Sequence, residues 1–186
     1  MCQTELWEDA LIELKRQSYS PLVKRVQAQW LARIYLGMKR YEAVLELEEQ
    51  ARQEGCDIQV FLAIAHARLG HHTTALWIAK ETVRVRRHGA EVALGHVYYE
   101  AGEYEEALRW YERAAQHLLD RADVLRAMGK TLMRIGDYHE AASMYAQAIL
   151  VTPFARSEDL RQFAECLRRI GDKHAAEIEQ IAHEKE

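Results

Sequence analysis

The chain has 186 residues, with 25 Lys+Arg against 29 Asp+Glu and a formal net charge of −4. That balance lacks the basic excess that phosphate neutralisation needs, which argues against nucleic-acid and anionic-membrane partners. No run approaches the roughly 18 apolar residues of a membrane span. The three cysteines, Cys2, Cys56 and Cys166, have no CxxC spacing and read as reduced thiols in the cytoplasm. The first fourteen residues carry Glu5, Glu8, Asp9 and Glu13, which is not the basic-then-apolar order of a signal peptide.

Taken in chain order, apolar spacing predicts a leading helix over 4–17 and then helix after helix. Ser20-Pro21 reads as an N-cap followed by a first-turn proline. Five pairs follow: 22–37 with 40–54, 57–69 with 73–86, 89–101 with 104–117, 121–135 with 138–150, and 157–170 with 173–184. Trp30, Leu31, Ile34 and Tyr35 fit the first of these. Leu62, Ala65, His66 and Leu69 make one face of 57–69. Ala75, Ile78, Ala79, Thr82 and Val83 make one face of 73–86. Both follow the i, i+3, i+4, i+7 rule. Trp77 falls off that face and points outward beside Leu76 and Lys80.

A glycine follows each first helix, at Gly37, Gly70, Gly102, Gly136 and Gly171, with spacings of 33, 32, 34 and 35. Glycine tolerates the left-handed conformation that ends a helix. Tyr41-Glu42-Ala43 resembles the turn at Tyr104 with one residue shifted. The last helix carries Glu177, Gln180, Glu184 and Lys185 on its outer face, which suits a cap.

Segment 88–121 repeats itself at 122–155. Ala93, Gly95, Gly102, Tyr104, Glu106, Ala107, Tyr111 and Ala114 recur as Ala127, Gly129, Gly136, Tyr138, Glu140, Ala141, Tyr145 and Ala148. Average usage would give about two such identities by chance. Gly95 and Gly129 fall mid-helix, where glycine costs about 1 kcal/mol against alanine. The expected compensation is close approach of a second helix, with Ala107 and Ala141 as the facing small residues.

Leu94-Gly95-x2-Tyr98, then Ala107-x3-Tyr111, Ala114 and, in the second copy, Pro153 together resemble the tetratricopeptide repeat. The resemblance covers 22–184. It implies an all-α fold: an α-solenoid of about five such helix pairs plus a leading N-terminal helix. The chain 1–186 is then a single solenoid, with 1–21 as the leading helix and 22–155 as repeats 1–4. A degenerate repeat and capping helix fill 156–186.

The resemblance also implies a non-catalytic scaffold that binds a protein or peptide segment in a concave groove lined by the first helices. Projecting the repeat phase gives Val60, Ile64, Ala67 and Arg68, then Val92, His96, Tyr99 and Glu100. Arg126, Lys130, Met133 and Arg134 come next, followed by Arg161, Glu165 and Arg168. Arg126, Lys130 and Arg134 stand in one row at i, i+4 and i+8, where like charges cost roughly 0.2–0.5 kcal/mol per pair. The row is either a site for an acidic segment with apolar anchors or is neutralised internally, by Glu100 on Arg134 and Glu165 on Lys130. The chain has no asparagine, so the two-asparagine carboxylate clamp of chaperone-binding relatives is not expected.

Two other readings of function remain. One is a cytosolic chaperone for a secreted protein, since small type III secretion chaperones are compact proteins of this family. The other is an assembly subunit that makes homo-oligomers through its ends or its convex face, with Leu76 and Trp77 as the candidate patch. No enzyme is expected. Ser143 and Ser157 lack a suggestive histidine, and no strand precedes a glycine-rich phosphate loop. No cofactor or metal is expected either, because His66 reads as core and His71 and His72 as an exposed pair without a third ligand.

Overall fold

The computed structural model describes residues 3–16, 21–85, 89–117, 122–152 and 156–185. Ser20, Pro153 and Cys2 lie outside the described residues. The helices are α1 (Gln3–Arg16), α2 (Pro21–Gly37), α3 (Tyr41–Gln53), α4 (Gln59–Arg68), α5 (His72–Arg84) and α6 (Ala90–Glu100). Then come α7 (Tyr104–Ala115), α8 (Ala122–Ile135), α9 (Tyr138–Val151), α10 (Ser157–Arg169) and α11 (Ala175–His183). No strand occurs among the described residues. The helices form two compact units, Met1–Ala101 and Gly102–Glu186.

In the first unit, α4 ends through a left-handed residue, Gly70, at φ +81°. The Gly70 N–H donates to the Ala67 carbonyl at 3.1 Å, and the His71 N–H reaches back to the His66 carbonyl at 2.9 Å. These two bonds satisfy carbonyls that the helix end leaves open. The same device ends α2, but one expectation is corrected there. Gly37 is the last residue of α2, and the left-handed residue is Lys39, at φ +57°. Its N–H donates to Leu36, and the Arg40 N–H donates to Tyr35 at 2.8 Å. Counted from Lys39, Tyr41 sits at +2, as Tyr104 does from Gly102 and Tyr138 from Gly136. The one-residue shift read from the sequence lies inside the motif: three residues after its tyrosine this repeat buries Val44, where the later one buries Ala107.

The core of this unit is built from small residues around a few large ones. Ala28, Ala32, Ala63, Ala65, Ala75 and Ala79 are buried with Leu31, Val44, Leu62 and Ile78. Ala67, expected to line the groove, is 2% exposed. Its helix α4 packs on α3, α5 and α6, so more than one stripe of α4 is covered.

In the second unit, α8 packs on α7 and α9, and α10 packs on α9 and α11. Leu132, Ala141, Ala142, Tyr145 and Cys166 form a core cluster. The close approach expected at Gly129 is real, but its partner is different. A Cβ added there would lie 2.9 Å from Cε2 and 3.0 Å from Cδ2 of Tyr145. An aromatic ring, not Ala141, occupies the space that glycine leaves. Tyr145 is 3% exposed, and burying a large apolar side chain contributes roughly 1.5–3 kcal/mol. That outweighs the propensity cost of about 1 kcal/mol for the glycine. The N-terminus of α9 is capped by Asp137, whose Oδ1 accepts the Glu140 N–H at 3.0 Å. At the far end, α11 buries Ala175 and Ala182 and exposes Glu177 and Gln180, and Glu184 and Lys185 just beyond it are also exposed.

Substituting Gly129→Ala sets these terms against each other. Helix propensity alone would raise stability by about 1 kcal/mol, whereas overpacking typically costs 1–3 kcal/mol. The ring is enclosed, so the clash dominates, and a net loss of about 1 kcal/mol lowers the melting temperature by roughly 2–4 °C. A thermal melt in which Gly129→Ala is more stable than the parent would contradict this packing.

Candidate functional site

The basic row lies on α8, in the second unit. Arg126 is drawn into the protein. Its Nε donates to Asp159 Oδ2 at 2.7 Å and its Nη1 to Asp123 Oδ1 at 2.7 Å. The Arg126 and Asp159 side chains are 13% and 5% exposed. Asp159 stands in the first turn of α10, where the helix dipole also favours a carboxylate. Arg126 is thus a structural tie between α8 and α10, neutralised by a residue the sequence reading did not single out.

Arg134 has a different role. Its Nε and Nη2 donate to Tyr104 Oη at 3.1 and 2.9 Å, and its guanidinium lies 5.5 Å from that ring. Arg169 lies 5.4 Å from the ring of Tyr138 in the same way. Both arginines stand two residues before a helix-ending glycine, and both tyrosines stand two residues after the preceding one. This recurring pair was visible as spacing in the sequence, but only the structure shows that the positions touch. Such contacts contribute about 0.5–1 kcal/mol at exposed sites.

Lys130 is exposed between these two arginines. Glu165 is bonded to Arg169 at 2.8 Å and to Arg168, and the Arg169 contact first, then Arg168, holds its carboxyl below the usual range. Met133 is partly buried against the Leu132–Tyr145 cluster. Arg161 is half-buried, with Glu158 at 3.9 Å.

In the first unit, Val60 and Ile64 on α4 and Val92, His96 and Tyr99 on α6 are all half-buried. Arg68 and Glu100 join α4 to α6 through an ion pair at 3.0 Å. Trp77 is 68% exposed on α5, and Leu76 beside it is half-buried. His66 is not core: it is half-buried, with its Nδ1 3.2 Å from that of His71. Cys166 is fully buried, and burial pushes its thiol up to about 11. It stays protonated at neutral pH and is poorly nucleophilic. No described helix is long and apolar enough to cross a membrane.

Arg126 and Asp159 test the structural share of the row. Removing one partner of a buried pair strands the other charge and typically costs 3–5 kcal/mol. Arg126→Ala should therefore lose about 3 kcal/mol in urea denaturation, while Arg161→Ala stays within about 0.5 kcal/mol of the parent. Equal, small effects from both would show that the pair is not buried as described.

Residues 89–149 match the family model described as tetratricopeptide repeat. A stretch of 69 residues is 36% identical to human protein O-mannosyl-transferase TMTC1, covering 37% of this chain and 8% of that relative's length. Among solved structures, PilW, described as a widely conserved type IV pilus biogenesis factor, is 15% identical, with a TM-score of 0.70 over 96% of this chain and 89% of its own. MamA from MSR-1 is 18% identical, with a TM-score of 0.61 over 87% and 96%. The apo form of the quorum sensor NprR from B. thuringiensis is 18% identical, with a TM-score of 0.65 over 98% and 60%. These structural likenesses show the fold alone. The family match is carried by the central segment 89–149, which supports a tetratricopeptide repeat there.

Proposed function

We propose that this chain is a non-catalytic protein-interaction scaffold of the cytoplasm that holds an extended or helical segment of a partner. The observation that carries the reading is the repeat match at 89–149, on a chain whose described residues are helix pairs and turns. In the second unit the contact face is the exposed side of α8 around Lys130, with Arg134, Met133 and Arg161 beside it. The first unit offers Val60, Ile64, Val92, His96 and Tyr99 as an apolar and aromatic face. A segment with one or two carboxylates beside an apolar anchor complements the α8 face, where Met133 lies beside the basic residues; taken by itself, the first unit's face suits apolar side chains. Arg126 supplies field rather than contact, because its guanidinium is already engaged by two carboxylates.

A second reading rests on Trp77. A tryptophan this exposed, beside Leu76, favours self-association through the outer side of α5. In that case Trp77→Ala leaves the melt unchanged and shifts sedimentation toward the monomer at high protein concentration. A parent protein that is monomeric throughout removes this reading.

The primary reading is tested by capturing a partner and measuring affinity and melting temperature on one variant, Lys130→Glu. A charged hydrogen bond contributes roughly 1.5–3 kcal/mol when desolvated, so affinity should fall at least tenfold with a shallower salt dependence. The melting temperature should stay near that of the parent. Unchanged affinity in a folded Lys130→Glu protein would remove the α8 face from the binding surface.

A further inference from the structure

Helix α5 turns a charged and aromatic stripe toward solvent. Its inner side is fixed by Ala75, Ile78, Ala79 and Thr82, which are buried where α5 packs on α4 and α6. The Thr82 hydroxyl donates to the Ala79 carbonyl at 2.7 Å. At 3.6 residues per turn, Thr73, Trp77, Lys80 and Arg84 fall on the opposite side, and all four are exposed. Glu81 flanks the stripe on one edge and Leu76 on the other, both half-buried. Arg84 is engaged by Glu81 within the helix, at 2.8 Å. Lys80 has no ion-pair partner among the described residues.

The alternating four-and-three spacing of this stripe is that of two helices packed side by side. A second copy of the chain presents the same stripe, and a two-fold interface needs a surface that complements itself. Charge decides the orientation. Antiparallel helices about a two-fold axis bring like edges together, so Glu81 would meet the partner's Glu81 and Lys80 the partner's Lys80. Parallel helices bring unlike edges together. Lys80 then lies within about 1.5 Å along the axis of the level of the partner's Glu81. The partner's Trp77 stands one turn before that glutamate on the same side. We propose that two copies of this chain associate through parallel α5 helices, each Lys80 held between the partner's Trp77 and the partner's Glu81.

This arrangement rests on the self-association reading above and names the side chains that meet. The ammonium gains an indole face and a carboxylate at once, and tryptophan is the best ring for such a contact. The two-fold axis makes the contact twice. Everything the interface needs is on the stripe itself, which is why a second copy is the occupant. With 13 residues, α5 is about 20 Å long. A patch of one helix is smaller than the roughly 800 Å² that each partner gives to a stable interface, so the dimer is weak and forms with rising concentration. Its charges stay at a rim open to water, so salt weakens it. The sequence reading placed Leu76 and Trp77 in this patch. Lys80 and Glu81 are the residues that orient it.

Sedimentation equilibrium of the full chain reads the dimer directly. The parent should dimerise, with a dissociation constant that rises as salt goes from about 50 to about 500 mM. Lys80→Glu and Glu81→Lys, each checked for folding by circular dichroism, should weaken the dimer at least tenfold. The double variant should bind at least threefold tighter than either single one, because opposite charges meet again. Thr73→Cys reads the orientation, since parallel helices set each position of the stripe beside its own counterpart. Mild oxidation should link two copies through Cys at this position, in excess of any linkage in the parent. A parent that is monomeric at every concentration ends both the self-association reading and this arrangement. If that monomer instead co-sediments with vesicles of anionic phospholipid, the stripe belongs to a membrane. A dimer weakened by Trp77→Ala but indifferent to both single reversals leaves self-association standing and overturns the arrangement. A double variant no tighter than the single ones, or no linkage through position 73, overturns it as well.

Discussion

The left-handed residue that closes each first helix sets most of the local geometry of this protein. An α-helix leaves four carbonyls unpaired at its end, and a single left-handed residue turns the next N–H groups back onto them. The turn fixes three relations at once. The second helix starts two residues later at Tyr41, His72, Tyr104 and Tyr138, and four residues later at Ala175 after Gly171. The residue four before the turn meets the residue one after it. At Gly136 and Gly171 the arginine two before the turn reaches the tyrosine two after the preceding one. The contact of Tyr35 with Arg40, the His66–His71 pair, and the arginine–tyrosine pairs at 134/104 and 169/138 all follow. Their chemistry differs while their positions do not.

Between the turns, the helices are held by volume rather than by polar contacts. Alanines at full burial let helix axes approach in the first unit. In the second, one glycine makes room for one tyrosine ring. The exposed ion pairs, such as Arg52 with Glu49 and Arg109 with Glu106, lie within single helices in water and contribute little. Arg68 with Glu100 and Arg168 with Glu179 cross between helices, and Arg126 with Asp159 crosses from α8 to α10 with both side chains largely out of solvent. The desolvation of two such charges offsets much of their attraction, so the pair's net contribution to stability is small while loss of one partner is costly.

Much of this was legible in the sequence, for physical reasons. Helix pairs, their order and the glycine turns at Gly70, Gly102, Gly136 and Gly171 follow from periodicity and from the steric demand of φ > 0. Lys39 was not legible, because a lysine in that conformation carries no compositional mark. Gly129 announced a close approach but not its partner, since a missing side chain does not say what fills the gap. The candidate site was read less well. Spacing alone put Arg126, Lys130 and Arg134 on one row, yet each guanidinium is committed to a different neighbour. Asp159 gave no signal beyond its place in the first turn of a helix. Ala67 was assigned to the groove by phase, and α4 proved to be covered on more than one side. Which cations of a row remain for a partner depends on contacts 30 to 33 residues away in the chain (Arg134 with Tyr104, Arg126 with Asp159), and periodicity does not encode those.

The central claim, that the left-handed turn organises its neighbours, is tested most directly at Gly136. Its φ is +97°, and a Cβ added there would meet nothing within 4 Å. Gly136→Ala therefore introduces backbone strain without a clash, at a cost of roughly 1–2 kcal/mol. Hydrogen exchange on the variant should show loss of protection at the Asp137 amide, which donates to Leu132, and then at the first turn of α9. The Tyr145 amide, inside α9, should keep its relative protection. A Gly136→Ala protein with parental stability and a fully protected Asp137 amide would contradict the account.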